Sequence, residues 1–399
     1  MSYKVKMKNK IQATTMQRLR KFYQLVLLFV VFILSFTFFT ERQAKSSAKV
    51  SYEVKIPLGI PKDLWEIFVP PDNPITPEKV ELGRKLYFDK RLSVDNTVSC
   101  ATCHDPKFAF TDGKKVSEGV RGQKGARNAP TVLNAMFFEQ QFWDGRAPTL
   151  EEQAKQPIIN PVEMGMPDHD AVVKKLKGIP EYVDAFKKVF GGEITIDRVA
   201  QAIAAFERTL LTGNSPFDRF IAGDQNAISE SAKRGWQLFQ GKARCITCHE
   251  FNRSNPFFTD NKYHNIGVAM NKEGFAELAR KAEQLAKQGQ LDKRKLDELA
   301  LDPAYSELGR FLVTFNPKDI GAFKTPTLRN VELTAPYMHD GSEATLLDVI
   351  KFYNRGGNEN PNLSGEMRPL NLTDEEMNDL VEFLKTLTGE FPKDFPENK

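Results

Sequence analysis

Apolar residues recur with helical spacing along most of this chain, and one stretch departs from that pattern by being apolar almost throughout. Residues Phe22 to Phe39 form this run, interrupted mainly by Gln24, Ser35 and Thr37, behind seven basic residues between Lys4 and Lys21. A basic flank followed by such a run is an export signal or a signal anchor, and residues 1–45 are assigned to it. The run is about as long as a minimal membrane helix, whereas Ser46-Ser47-Ala48 offers small residues that a signal peptidase accepts. Cleavage and anchoring both stay open. Residues 46–76, rich in Pro, Lys and Ser, read as a linker.

From Pro77 onward the pattern is amphipathic and helical, and it repeats. Gly83-Arg84-Lys85-Leu86-Tyr87 has a counterpart in Gly235-Trp236-Gln237-Leu238-Phe239, and Phe206-Glu207-Arg208-Thr209-Leu210 has one in Phe383-Leu384-Lys385-Thr386-Leu387. Each member of the second pair is soon followed by Thr-Gly, a reasonable helix stop. Two matches in matching order predict two related, mainly α domains, at 77–222 and 223–399. Helical spacing also covers about Asp170–Lys177, Glu181–Phe190 and Asp197–Leu211. Thr373-Asp374-Glu375-Glu376 opens the last helix with a capping box. A Lys/Glu/Ala/Leu-rich stretch over 272–301 predicts a solvated, charged helix inserted beside the second half. Asn354 to Pro369, rich in Gly, Asn and Pro, reads as an ordered loop, and no continuous segment suggests a large sheet.

Charge changes the picture in one respect. The 399-residue chain carries a formal net charge of +4, yet residues 1–44 hold 8 of its 56 basic residues and 1 of its 52 acidic ones. The body is nearly balanced, so nothing favours a nucleic-acid partner.

The chemistry lies in the cysteines. All four fall in two copies of one pattern, Cys100-Ala101-Thr102-Cys103-His104 and Cys245-Ile246-Thr247-Cys248-His249. This is the attachment signature of c-type haem, with two thiols for the vinyl groups and an adjoining imidazole for the iron. A zinc site needs four ligands, and neither motif has a partner pair of suitable spacing. A redox dithiol is the other alternative, which a following His does not exclude. Two motifs with no cysteine left over imply two covalent haem c groups, with His104 and His249 as one axial ligand each. The opposite axial positions decide between electron transfer and small-ligand chemistry. Only His169, His264 and His339 remain as further imidazoles, and a lone His is more often structural than a ligand. Met270 and Met338 are possible ligands whose ordinary role is core packing.

Further motifs carry a family resemblance. Arg127-Asn128-Ala129-Pro130-Thr131, Phe142-Trp143-Asp144-Gly145-Arg146-Ala147, Leu328-Arg329-Asn330 and Thr334-Ala335-Pro336-Tyr337, in order and with both haem motifs between about Leu82 and Gly389, closely resemble the bacterial diheme cytochrome c peroxidase and MauG family. The resemblance implies a mainly α fold of two cytochrome c-like haem domains packed against each other. It makes the His104 haem the peroxide-reacting site and the His249 haem the electron-transfer site, with Trp143 between them. It places an acid for peroxide cleavage at Glu163, with Gln153 and Pro157 lining the same pocket, and a calcium ion at the Asn128 side chain and the carbonyls of Thr334 and Pro336. Read alone, Trp143 is a core aromatic, Glu163 a surface acid and Asn128 a turn residue.

Two departures separate this chain from ordinary bacterial peroxidases. Val120, in Glu118-Gly119-Val120-Arg121-Gly122, stands where many of them carry a histidine that caps the first iron. Tyr353, in Asp348-Val349-Ile350-Lys351-Phe352-Tyr353-Asn354, stands where they place an axial Met. A phenolate is a harder, anionic ligand that favours the oxidised metal, and this pairing looks like MauG; the plain alternative for Tyr353 is a buried aromatic bonded elsewhere. His264 and His339 are assigned to the surroundings of the second haem. The resulting expectation is an exported, periplasmic oxidoreductase that reduces hydrogen peroxide with electrons from a cytochrome c or cupredoxin. Oxidation of a partner protein's residues, as in MauG, is the alternative, and a diheme electron carrier or redox sensor is the third reading. Homodimerisation is common in the family, and no segment here proves it.

Overall fold

The computed structural model describes residues 54–268, 274–393 and 395. The apolar run 22–39, Ser46–Ala48, Met270 and residues 272–273 lie outside them. Among the described residues no helix is long and apolar enough to cross a membrane. The main helices are, in chain order, α1 (Lys62–Phe68), α2 (Pro77–Phe88), α3 (Leu150–Ile159), α4 (His169–Lys177), α5 (Pro180–Phe190), α6 (Ile196–Glu207), α7 (Pro216–Ile221), α8 (Glu230–Gln240), α9 (Phe275–Lys287), α10 (Lys293–Leu301), α11 (Leu346–Asn354) and α12 (Asp374–Lys385). The single two-stranded sheet among these residues pairs β1 (Tyr263–His264) antiparallel with β2 (Phe323–Lys324).

Local chemistry explains the helix starts. Thr76 accepts the Lys79 N–H with Pro77 at the first helical position, and Thr195 accepts the Arg198 N–H. Thr373 and Glu376 form the expected capping box. Each cap satisfies a backbone donor that the helix itself leaves unpaired.

Packing shows what the sequence repeat is for. Helix α2 crosses α6, and α8 crosses α12. A Cβ added to Gly83 would lie 1.8 Å from the Ala202 carbonyl oxygen and 3.0 Å from Phe206 Cβ; one added to Gly235 would lie 2.0 Å from the Asp379 oxygen and 2.8 Å from Phe383 Cβ. The repeated Gly and Phe therefore mark one close helix crossing, built twice. Gly235→Ala gains about 1 kcal/mol of helix propensity but forces a backbone clash costing about 3 kcal/mol. A net loss of about 2 kcal/mol is expected, measurable by chemical denaturation of the haem-loaded protein. Around the second crossing, Phe217, Phe239, Phe258 and Phe383 are almost fully buried in one apolar core.

Two expectations need correction. The described part of 46–76 is no free linker, because it contains α1 and docks on the first half. Trp65 is 4% exposed and its Nε1 donates to the Arg208 carbonyl at 3.2 Å, while Ile75 is fully buried. Asn73 Nδ2 donates to Glu151 Oε1 at 2.7 Å. Pro and Lys content marks an irregular path, but a few large apolar side chains decide whether it docks; truncating a buried Trp typically costs about 3–5 kcal/mol. The charged insertion is likewise not one solvated helix. It breaks into α9 and α10, with Gly289 at φ 68° between them. Ala279, Ala282, Leu299 and Ala300 are buried against Leu308, Phe311 and Leu312. Helix α10 rests on α3 in the first half, where Lys293 pairs with Glu152 at 3.1 Å and Arg294 donates to the Pro167 carbonyl at 2.9 Å. A narrow stripe of small residues suffices for that packing, and the abundance of charge around it hides the stripe.

Candidate haem sites and peroxide pocket

The two Cys-Ile/Ala-Thr-Cys-His segments are short helical turns closed in the same way. The backbone N–H groups of His104 and His249 return to the Cys100 and Cys245 carbonyls, both at 2.9 Å. His104 Nδ1 lies 3.2 Å from the Phe110 carbonyl and His249 Nδ1 lies 2.9 Å from the Phe258 carbonyl. These contacts make Nδ1 the donor and leave Nε2 as the free lone pair of a neutral imidazole, the arrangement a metal-ligating His needs. Burial lowers both imidazoles below their ordinary values, against the carbonyls that hold Nδ1, and so keeps them neutral. Phe110 and Phe258 adopt left-handed backbone, at φ 59° and 56°, costing on the order of 1–2 kcal/mol each. That strain aims their carbonyls at the rings.

A second repeat, also present in the sequence, supports each imidazole. Pro130-Thr131-x-x-Asn134 corresponds to Pro326-Thr327-x-x-Asn330. Thr131 Oγ1 donates to the Ala109 carbonyl and Thr327 Oγ1 to the Phe257 carbonyl, both at 2.7 Å. Asn134 and Asn330 both have left-handed backbone, and their N–H groups reach the Leu210 and Leu387 carbonyls at 2.9 and 3.1 Å. Each segment thus ties the carbonyl loop to the crossing helices.

A cavity of about 270 Å³ is lined by Cys245, Cys248, His249 and Tyr353, and also by Trp143 and His339. Thiols, a neutral imidazole and a largely apolar wall fit a covalently held haem. The Tyr353 hydroxyl has no hydrogen-bond partner among the described residues. Burial, and then the sulfurs of Cys248 and Cys245, push it well above its ordinary value.

The remaining histidines all have other partners. His169 Nε2 meets the Lys155 carbonyl at 3.1 Å, His264 Nε2 meets Asp260 at 2.8 Å, and His339 Nε2 meets Glu307 at 2.9 Å. His264 and His339 line the same cavity as Cys245, Cys248 and His249. Trp143 packs edge-on to His339 at 6.5 Å, and its Nε1 donates to the Asn128 carbonyl at 2.9 Å. Asn128 Nδ2 donates to the Lys114 carbonyl at 2.9 Å. Its own side-chain oxygen and the carbonyls of Thr334 and Pro336 accept no hydrogen bond among the described residues, and all three residues share the cavity wall.

On the first side, Glu163 sits in a tight turn after α3. Its N–H meets the Asn160 carbonyl at 3.2 Å, and its own carbonyl accepts the Val120 N–H at 2.9 Å. Val120 is fully buried, so an apolar side chain is packed against this turn. Loss of water raises the Glu163 carboxyl to about 7, with Asp297 adding to the rise and Arg146 opposing it. Its charge is felt at the thiols of Cys100 and Cys103. Gln153 and Pro157 lie on α3, and the Pro157 carbonyl accepts the Met164 N–H at 3.2 Å. No hydrogen bond joins Gln153 to Glu163 among the described residues.

Comparisons with known proteins agree with this geometry. Residues 77–226 match the family "Di-haem cytochrome c peroxidase" and residues 314–388 match "Cytochrome c". The chain is 38% identical to cytochrome-c peroxidase IdrP1 of Pseudomonas sp. strain SCT, over 81% of this chain and 84% of that one. It is 41% identical to the methylamine utilization protein MauG of Methylorubrum extorquens, over 80% and 81%. The crystal structure of a MauG-like protein associated with microbial copper homeostasis superposes with a TM-score of 0.65 at 34% identity, covering 81% of this chain and 92% of that one. With two haem-attachment motifs built alike around one repeated helix crossing, the chain belongs to the di-haem cytochrome c peroxidase and MauG family.

Proposed function

We propose that this protein is an exported oxidoreductase that reduces hydrogen peroxide with electrons from a small redox protein, a cytochrome c or a cupredoxin. Cys100 and Cys103 with His104 hold the first of two haem c groups, and Cys245 and Cys248 with His249 hold the second. When bound, the two haems would supply the redox chemistry of peroxide reduction. The halves divide near 222/223, in keeping with the family matches.

The observation that carries the reading is the Glu163 carboxyl, raised to about 7 by burial and facing the first motif. Such a group exchanges a proton at neutral pH: it takes one from the nearer peroxide oxygen and returns it to the farther one as the O–O bond breaks. Gln153 and Pro157 wall the same side. With apolar Val120 at this place, no side chain there would compete with peroxide for an iron held by His104, so the oxidised protein is expected to accept peroxide without prior reduction. Trp143 relays electrons between the halves. Peroxide-dependent oxidation of a reduced small cytochrome c tests the proposal; no oxidation overturns it. In that event the second reading, MauG-like oxidation of a partner protein, becomes the better one, and Val120 and Tyr353 are the residues that favour it.

Asn128, Thr334 and Pro336 are proposed to hold a calcium ion, since three oxygens without hydrogen-bond donors suit a hard cation. Chelation is expected to remove one calcium per chain, read by elemental analysis, and to lower peroxide turnover; calcium but not magnesium should restore it. Unchanged turnover in calcium-free protein would contradict the assignment. The N-terminal run directs the body to the periplasm or anchors it on that face of the membrane.

A further inference from the structure

The segment carrying α9 and α10 lies between the two family matches, yet one of its residues, Asp297, reaches the turn that bears Glu163 through its main-chain carbonyl. Arg146 Nε donates to Asp297 Oδ1 at 2.5 Å, with side chains only 3% and 4% exposed. The same residue acts through its main chain: Asn160 Nδ2 donates to the Asp297 carbonyl at 3.4 Å. Asn160 in turn holds the Glu163 turn. Its carbonyl accepts the N–H groups of Glu163 and Gly165 at 3.2 and 2.8 Å, and its Oδ1 accepts the Val162 N–H at 2.9 Å.

Charge balance gives this contact a purpose. Asp144, fully buried, accepts from Arg127 at 2.6 Å and Arg146 at 3.1 Å. Burial works against its charge, but the two guanidiniums hold it down to about 2. Glu307 also faces Arg127 and is bonded to His339. Arg127 and Arg146 are therefore matched by Asp144 and Asp297. The groups facing Glu163 are Arg146 and Asp297, together with the Cys100 and Cys103 sulfurs. No guanidinium is left over to form an ion pair with it.

We propose that Asp297 is a positioning residue for the peroxide site: it neutralises Arg146 and braces the 160–165 turn, so that the Glu163 carboxyl remains unpaired and able to exchange a proton. This rests on the reading of Glu163 as proton carrier. Without the Asp297 charge, Arg146 and Arg127 share Asp144, so the pull of Arg146 on Glu163 is less offset and its carboxylate is stabilised.

The test follows the carboxyl stretch of Glu163 by infrared difference spectroscopy of the haem-loaded protein against pH, assigned by its loss in Glu163→Gln. The midpoint is expected near 7 in the parent protein, lower by roughly one unit in Asp297→Asn, and restored in Asp297→Glu. The pH dependence of the peroxide rate constant should move with it. An unmoved midpoint in haem-loaded Asp297→Asn overturns the proposal. If Asp297→Asn does not load haem, Asp297 serves folding alone and the proposal falls as well. If Glu163→Gln reacts with peroxide at the parent rate, the assignment of Glu163 fails instead, and the spectroscopic midpoint still judges Asp297.

Discussion

Glu163→Gln is expected to lower the second-order rate constant for peroxide by about 10²–10⁴-fold, the usual worth of a positioned acid and base. Haem loading and the visible spectrum should be unchanged, since the amide fills the same space. The pH profile carries a sharper expectation. The carboxyl is held up to about 7, and the ionised form is the one that takes the first proton. The rate constant should therefore fall by about tenfold per unit as pH drops below 7 and level off above it. In Glu163→Gln this limb should vanish, leaving a flat, slow profile. Stopped-flow mixing of the oxidised protein with peroxide reads both effects. A variant that keeps the limb has its titrating group elsewhere.

Tyr353→Met is expected to raise the reduction potential of the second haem by a sizeable part of the roughly 0.8 V that axial ligands span. The reason lies in the hydroxyl's surroundings. Burial pushes Tyr353 well above its ordinary value, so the protein alone keeps it a neutral phenol, and an adjacent cation has to supply the charge that ionises it. A ferric haem iron held by His249 would be such a cation. The anionic oxygen then favours the oxidised metal, whereas a thioether favours the reduced one. Tyr353→Phe separates ligation from packing, because it keeps the ring and removes only the oxygen. Spectroelectrochemical titration of both variants checks the assignment. Potentials equal to the parent's would make Tyr353 a wall residue of the cavity.

The attachment motifs were plain in the sequence because covalent chemistry fixes their spacing, and the helix-crossing repeat was plain because Gly83 and Gly235 admit a neighbouring backbone that any side chain would block. The histidine supports were equally present as Pro-Thr-x-x-Asn, but a five-residue pattern with two variable positions gains meaning only once Phe110 and Phe258 are seen to face the rings. Three features could not be read from the sequence. Trp65 docks through long-range packing on a segment whose composition suggests a tether. The inserted helices hide a thin apolar stripe beneath their charges. Asp297 meets Arg146 across 151 residues, and no local pattern signals a buried ion pair at that separation. Glu163 owes its raised carboxyl chiefly to loss of water, which no local sequence pattern signals, so its proposed role was legible only by resemblance.

The most direct test of the central claim, an open peroxide site beside a second haem of different coordination, is the electron paramagnetic resonance spectrum of the fully oxidised protein before and after one equivalent of peroxide. One high-spin and one low-spin haem, both signals lost on adding peroxide and recovered with reduced cytochrome c, is the predicted result. Two low-spin haems that ignore peroxide would contradict it and leave an electron carrier, or a peroxidase that requires prior reduction, as the reading.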